Sequence, residues 1–442
     1  MSGARIVRGR LLSFRESPRL AGEGAYALIE DGAVLIRDGR IVAVGEARDV
    51  IAAAPRDTPI DDHTGKLVLA GFIDTHIHYP QTRVIGSYGA QLLDWLQKYT
   101  FVEEQKFADP AHAAAVAKFF LDELFRNGTT TAAVYCTVRP ESVEAFFTES
   151  EARGARMIAG KVMMDRNAPP ALTDTAERGY AESKALIAKW SGRGRLDYAI
   201  TPRFAITSTQ AQLEAAGALV REHPECYVQT HLSENHREIA FTKELFPEAR
   251  DYLDVYERVG LLGAKSILGH CIHLEPREVA SLAEHRCVAA FCPTSNLFLG
   301  SGLFDLRRLD EAGVRVALAT DVGGGTSYSM LQTANEGYKV LQMNGQSWPA
   351  LQAFYQMTLG NARALGLDDR IGAIEPGREA DLVVLDSRAT PAMQHRMESI
   401  DGDLAEELFV LMMMGDDRAV AETYVGGVAS KPKRTSNFAQ GT

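Results

Sequence analysis

Nowhere in its 442 residues does the chain carry an apolar run approaching the about 18 residues that a membrane-spanning helix needs. The longest, at 314–320 and 408–414, are far shorter, so no membrane role is expected. Positive charge is in deficit. Forty-seven Lys and Arg face 58 Asp and Glu, a net charge of −11, which argues against general attraction to nucleic acid or an anionic surface. Cysteine is scarce, odd in number and scattered. Cys136, Cys226, Cys271, Cys287 and Cys292 form no CxxC pair, which disfavours a disulfide scaffold or a thiolate zinc clip and predicts reduced, buried thiols. No GxSxG elbow surrounds Ser233 or Ser295, and no GxGxxG or Walker pattern surrounds the glycines at 323–325. His273 and Glu275 form an HxE, but the PCxxC of the small cytidine-deaminase zinc fold is missing. The opening MSGARIVRGRLLSF has no apolar signal region, so a cytoplasmic protein is expected.

What is present is a large globular core, with 46% hydrophobic and 24% charged residues. The first segments, RIVRGRLLSF (5–14), YALIEDGAVLIRDGRIVAVG (26–45) and KLVLAGFID (66–74), read as strands. The pairs Asp31-Gly32 and Asp38-Gly39 each predict a hairpin. After Gly71 the texture changes. Strand-like runs at FIDTHIH, 129–135, 156–164, 196–204, 227–234, 266–271, 287–296 and 314–323 alternate with helical stretches, the pattern of a parallel (β/α)8 barrel. Strand character returns in IGAIEPGREADLVVLD (371–386) and AVAETYVGGVAS (419–430), before a short polar tail. The expected fold is α/β: a (β/α)8 TIM barrel over 70–371, with a small β-sandwich domain built from both chain ends, 1–69 and 372–442.

His76 and His78 stand two apart at the end of FIDTHIH, so both imidazoles leave the same face of a strand. Three further candidates also fall where a predicted parallel strand stops: His231 in THLSE, His270 in LGHC and Asp321 in LATD. Active sites of this fold form at such strand ends. His76, His78, His231 and Asp321 together offer a Zn2+ ion three nitrogens and an oxygen, with room for a water. Glu234, three residues past His231, suits the general acid and base task beside that water. His270 is either a fourth imidazole ligand or a neighbour that orients the water, and the sequence leaves both open. The remaining histidines, His63, His112, His223, His236, His285 and His395, have no such placement and are expected to be solvated or locally bonded.

Longer motifs carry a resemblance. GFIDTHIHYPQT (71–82), LDWLQKYTFVEE (93–104), NGTTTAAVY (127–135), GKVMMDRN (160–167), TPRF (201–204), THLSEN (230–235), CPTSNLFLGSG (292–302), TDVGGGTSYSML (320–331) and GDDR (415–418) resemble the amidohydrolase superfamily, and within it the branch that deaminates guanine. The resemblance implies one zinc per subunit on His76, His78, His231 and Asp321, with Fe2+ as the alternative metal. It implies Glu234 as proton shuttle, with His270 and Asp321 assisting. Relatives with two metals carry a carboxylated lysine at the strand where TPRF stands here, which fits a single ion. For a purine base as the small-molecule partner, it implies Arg203 at the O6 and N7 edge, Gln81 at ring nitrogens or the amino group, and Trp95 and Phe204 over the ring faces. The implied reaction is hydrolysis of guanine to xanthine and ammonia. Competing expectations are a deaminase or chlorohydrolase acting on 8-oxoguanine, cytosine or a triazine, and, from another class, a catalytically silent scaffold. A homodimer is expected from the resemblance and from the frequency of two-fold assemblies.

Overall fold

The computed structural model describes residues 3–89 and 91–433, so the expected polar tail from 434 onward lies outside the described residues, as do Met1 and Ser2. Four strands open the chain: β1 (Arg5–Phe14), β2 (Tyr26–Arg37), β3 (Arg40–Glu46) and β4 (Ile60–Ala70). The barrel follows with β5 (Phe72–His78), β6 (Thr129–Tyr135), β7 (Arg156–Gly160), the short β8 (Val162–Met163), β9 (Leu196–Pro202) and β10 (Tyr227–Leu232). It continues with β11 (Ser266–His270), β12 (Val288–Phe291) and β13 (Arg315–Leu318). Beyond it come β14 (Leu382–Leu385), β15 (Val420–Val425) and β16 (Val428–Ala429).

Hydrogen bonding joins the strands of both chain ends into one seven-stranded sheet in the order β16-β15-β14-β4-β1-β2-β3. The parallel strands β5, β6, β7, β9, β10, β11, β12 and β13 form the barrel wall, with β8 paired to β9. Residues of β5, β6, β7, β11 and β12 are buried throughout, because helices cover the wall outside while side chains fill it inside. Helices restart after the strands with proline in their first turn, at Pro110, Pro140, Pro276 and Pro293, where its missing N–H costs nothing.

Between β13 and β5 the ladder is replaced by side chains. Asn361, fully buried, donates Nδ2 to the carbonyls of Ile73 (2.6 Å) and Leu318 (2.8 Å) and accepts from the Leu318 amide (2.9 Å). Asp74 accepts from the Thr320 amide at 3.1 Å and from its hydroxyl, tying the two strands just below the candidate site. Burial pushes the Asp74 carboxyl up to about 6, against the pull of these hydrogen bonds.

One sequence expectation needs correction. Asp38-Gly39 is a turn between β2 and β3, but Asp31-Gly32 lies within the continuous strand β2. Gly32 faces Gly9 across the ladder, and a Cβ on it would meet Leu11 at 2.5 Å. Glycine here serves close packing of side chain on backbone, not chain reversal. CPTSN also divides differently from the strand reading, since β12 ends at Phe291 and Pro293 opens a helix, Pro293–Phe298. All five cysteines are free and buried, as expected.

Candidate functional site

The C-terminal ends of β5, β10, β11 and β13 converge at one mouth of the barrel. His76 and His78 sit at the end of β5, His231 in β10, His270 at the end of β11 and Asp321 three residues past β13. Backbone bonds fix the register there: the Asp321 amide donates to the His76 carbonyl (2.9 Å) and the His78 amide to the Val322 carbonyl (2.7 Å). Four of the eight positive-φ non-glycine residues among the described residues, Ser233, His270, Cys271 and Asp321, cluster at these strand exits. Such left-handed backbone is strained for residues bearing a Cβ and turns the side chains into the mouth.

Three imidazoles and one carboxylate meet here. Single ligand atoms of His76, His78, His231 and Asp321 all lie within 4.8 Å of one another. Nε2 of His76 and Nε2 of His78 are 3.3 Å apart, and both face Asp321 Oδ1, at 3.4 and 3.3 Å. His231 Nδ1 bonds the Arg203 carbonyl at 2.8 Å, which makes Nδ1 the donor and leaves the Nε2 lone pair free. Protons are a poor way to settle this cluster. Burial pushes His78 down to about 3, and burial together with His76, His78 and His270 holds His231 well below its ordinary value. Burial alone would raise the Asp321 carboxyl, yet hydrogen bonds from His76 and His78 hold it well below the usual carboxylate range. Three imidazole nitrogens gathered on a buried carboxylate are a donor set for a divalent cation.

Glu234 lies on the other side of this cluster. Its Oε1 accepts from Ser301 Oγ at 2.9 Å, and its Oε2 is 3.3 Å from His270 Nε2. Burial and the Asp321 charge push the Glu234 carboxyl up to about 8, so it holds a proton at neutral pH. Its backbone is pinned from below by the capping box of the next helix, where Glu238 accepts from the amides of Glu234 (2.8 Å) and Asn235 (3.0 Å). His270 Nδ1 faces Asn296 Oδ1 at 2.9 Å, so this nitrogen carries the proton and Nε2 is turned toward Glu234 and, at 3.9 Å, toward Asp321 Oδ2.

The pocket above is lined by His78, Gln81, Leu92, Trp95, Leu96, Arg203, Phe204, His231, Glu234, His270, Leu299, Asp321 and Gly324. It therefore brings together every residue singled out in the sequence, with His76 directly behind His78. It encloses about 30 Å³, room for a single water. A larger groove of about 870 Å³ runs outside β13, but its lining includes no histidine and no converging set of ligand atoms. The pocket's size and its chemistry thus point to different places, and the chemistry decides.

Several supporting residues escaped the sequence reading. Tyr135 stacks on His78 with ring centroids 4.4 Å apart. Ser301 and Asn296 orient Glu234 and His270. Glu104 accepts from both Arg203 and Gln81. Tyr135, Asn296, Ser301 and Glu104 all lie inside motifs quoted above, which is the one signal that could have flagged them.

Comparison with known proteins agrees with this geometry. Residues 67–429 match the model of the amidohydrolase family, and residues 32–56 match that of a bacterial imidazolonepropionase-like composite domain. The chain is 49% identical to guanine deaminase of Escherichia coli (strain K12) over 96% of this chain and 97% of that protein. The solved structure of the E. coli enzyme superposes with a TM-score of 0.94 at 48% identity, covering 96% of this chain and 99% of that one. A guanine deaminase from C. acetobutylicum, solved with guanine in its active site, superposes with a TM-score of 0.87 at 28% identity, covering 97% of this chain and all of that one.

Proposed function

The chain belongs to the amidohydrolase family, and from that premise we infer that it hydrolyses guanine to xanthine and ammonia. The observation that carries this reading is that Gln81, Trp95, Arg203 and Phe204 line the same pocket as the His and Asp cluster and Glu234. We propose the following roles. His76, His78, His231 and Asp321 hold one metal ion, Zn2+ by donor set, with Fe2+ as the alternative. When bound, the ion supplies Lewis acidity that lowers the pKa of water toward about 7.

The chain's own groups do the rest. Arg203 donates to O6 and N7 of the base, Gln81 bonds its ring nitrogens or amino group, and Trp95 and Phe204 cover its faces. C2 then faces the His and Asp cluster. Glu234, already protonated, gives its proton to N3 as water oxygen adds to C2, forming a tetrahedral centre. Asp321 takes the proton that the water sheds, and His270 stabilises the developing charge. Asp321 passes that proton to the amino group, the C2–N bond breaks, the new C2 hydroxyl returns its proton to Glu234, and ammonia leaves with xanthine behind. Since the pocket is closed to about 30 Å³, the segment carrying Leu92, Trp95 and Leu96 must give way for the base to enter.

We further propose the divisions 1–69, 70–371 and 372–442, a homodimer, and a cytoplasmic setting. The divisions are supported by β4, which pairs with β14 up to Ala70, while β5 of the barrel starts at Phe72. No helix among the described residues is long and apolar enough to cross a membrane. The decisive experiment follows ammonia release from zinc-loaded protein given guanine, adenine, cytosine, 8-oxoguanine and ammeline. Rapid release from guanine alone is expected. Inert guanine beside another reactive amine would overturn the pocket assignment, and silence on every compound would leave a scaffold.

A further inference from the structure

Glu104 takes no part in the reaction above, yet it is the anchor of the purine-edge residues. It is 2% exposed and accepts Arg203 Nη1 on both oxygens, at 2.9 and 2.7 Å. Oε1 also accepts Gln81 Nε2 at 3.1 Å, while Gln81 Oε1 accepts the Gly323 amide at 3.2 Å. The Gln81 amide is thus fixed from both ends, and Nε and Nη2 of Arg203 are left for a ligand. Glu104 also cancels a charge, because the Arg203 guanidinium is only 3% exposed and has no other carboxylate partner among the described residues.

That cancellation matters because substrate and product differ in acidity. Guanine is neutral near neutral pH. Replacing its C2 amine by a carbonyl makes the product an imide, which sheds a proton more readily. A bare arginine at the O6 edge would hold the resulting anion by charge, whereas a paired one offers hydrogen bonds alone.

Building on the guanine reading, we infer that Glu104 is a positioning residue that keeps the purine-edge end of the pocket electrically neutral, so that guanine is gripped while xanthine is not retained as its anion. The other ionisable groups facing this end are His78, Tyr135, His231, Glu234, His270 and Asp321. Neighbouring Glu103 pairs instead with Lys106. These groups are present in the native protein and in each variant, so each variant is compared with the native protein at the same pH.

The test uses the metal-loaded full chain, Glu104→Gln and Arg203→Gln. It measures xanthine inhibition against guanine KM, and xanthine binding by calorimetry, at about pH 6 and about pH 9. In Glu104→Gln the ratio of xanthine inhibition constant to guanine KM is expected to fall about tenfold at the higher pH and to change little at the lower. In Arg203→Gln, where Glu104 keeps its charge alone, xanthine affinity is expected to shift the opposite way at the higher pH, so either variant decides if the other fails to fold. Unchanged ratios at both pH values, or a shift equal at both, overturn the inference. If the native protein releases no ammonia from guanine, the functional reading fails and takes this inference with it, whereas guanine turnover with xanthine ratios that do not respond to pH sinks the inference alone.

Discussion

The two ends of the barrel hold buried charge in opposite ways. At the N-terminal end, Arg156 donates to both oxygens of Glu379, at 2.8 and 2.5 Å, and lies 3.3 Å from Asp197. Arg195 donates to Glu379 at 2.9 Å and pairs with Asp381, which also accepts the Gly426 amide at 2.8 Å. Each charge in this cluster has a partner of opposite sign, and the cluster ties the barrel to the seven-stranded sheet. At the C-terminal end, three imidazoles crowd one carboxylate, and Glu234 keeps a proton it would lose in water. Structural charges are neutralised within the chain, while the charges of the site are completed only by a metal and a substrate.

The comparison is broken most severely at Glu234. Glu234→Gln is expected to lower kcat for ammonia release by about 10³-fold or more, while metal content and the urea midpoint stay at or above their native values. A fall in metal content equal to the fall in rate would make Glu234 a ligand and not a proton carrier. Arg203 belongs to both camps, since it faces the substrate yet is paired like a floor residue. Arg203→Ala is expected to lower kcat/KM for guanine by about 10²-fold and also to cost about 3 kcal/mol in urea unfolding, because the buried Glu104 loses its ion-pair partner and keeps only Gln81. A variant inactive on guanine but fully stable would mean that Glu104 finds another partner.

At the floor the expectation reverses. Glu379→Gln is expected to lower unfolding free energy by about 3 kcal/mol and to leave the turnover of folded protein near native. Its pH dependence sharpens the contrast. Burial alone would raise the Glu379 carboxyl, but Arg156 and Arg195 outweigh it and bring the group down to about 2, from 4.5. A carboxylate so depressed contributes stability that is complete above its unfolded pKa and is lost as pH falls from about 4.5 toward about 2. The acid limb of the stability curve should therefore flatten in Glu379→Gln, and an unchanged limb would move the acid sensitivity elsewhere.

Much of the site was legible because barrel architecture turns sequence position into spatial position. A residue where a parallel strand stops must lie at the mouth, which places His76, His231, His270 and Asp321 together before any coordinates exist. The partners that orient those residues obey no such rule. Glu104 reaches Arg203 across 99 positions, Ser301 reaches Glu234 across 67, and Asn296 reaches His270 across 26. Each is a loop or helix residue whose direction depends on packing, not on a period. The Asp31-Gly32 misreading has the same origin, since the hairpin signal is local and the Leu11 side chain that demands glycine is not. Asn361 escaped for a further reason: nothing in a run of strands says that its last gap will be closed by a side chain.

The order of the seven-stranded sheet also has a consequence for a chain emerging from the ribosome. β4 lies between β1, made before it, and β14, made only after the entire barrel. One edge of β4 can pair at once, while Leu67, Val68, Leu69 and Ala70 on the other must wait for Leu382–Leu385. Throughout that interval a nascent chain presents an apolar strand with open donors and acceptors, the kind of edge that recruits the wrong neighbour. The strand that shields it arrives only after the whole barrel has been made, so a ribosome stalled within the barrel would leave behind a sticky fragment.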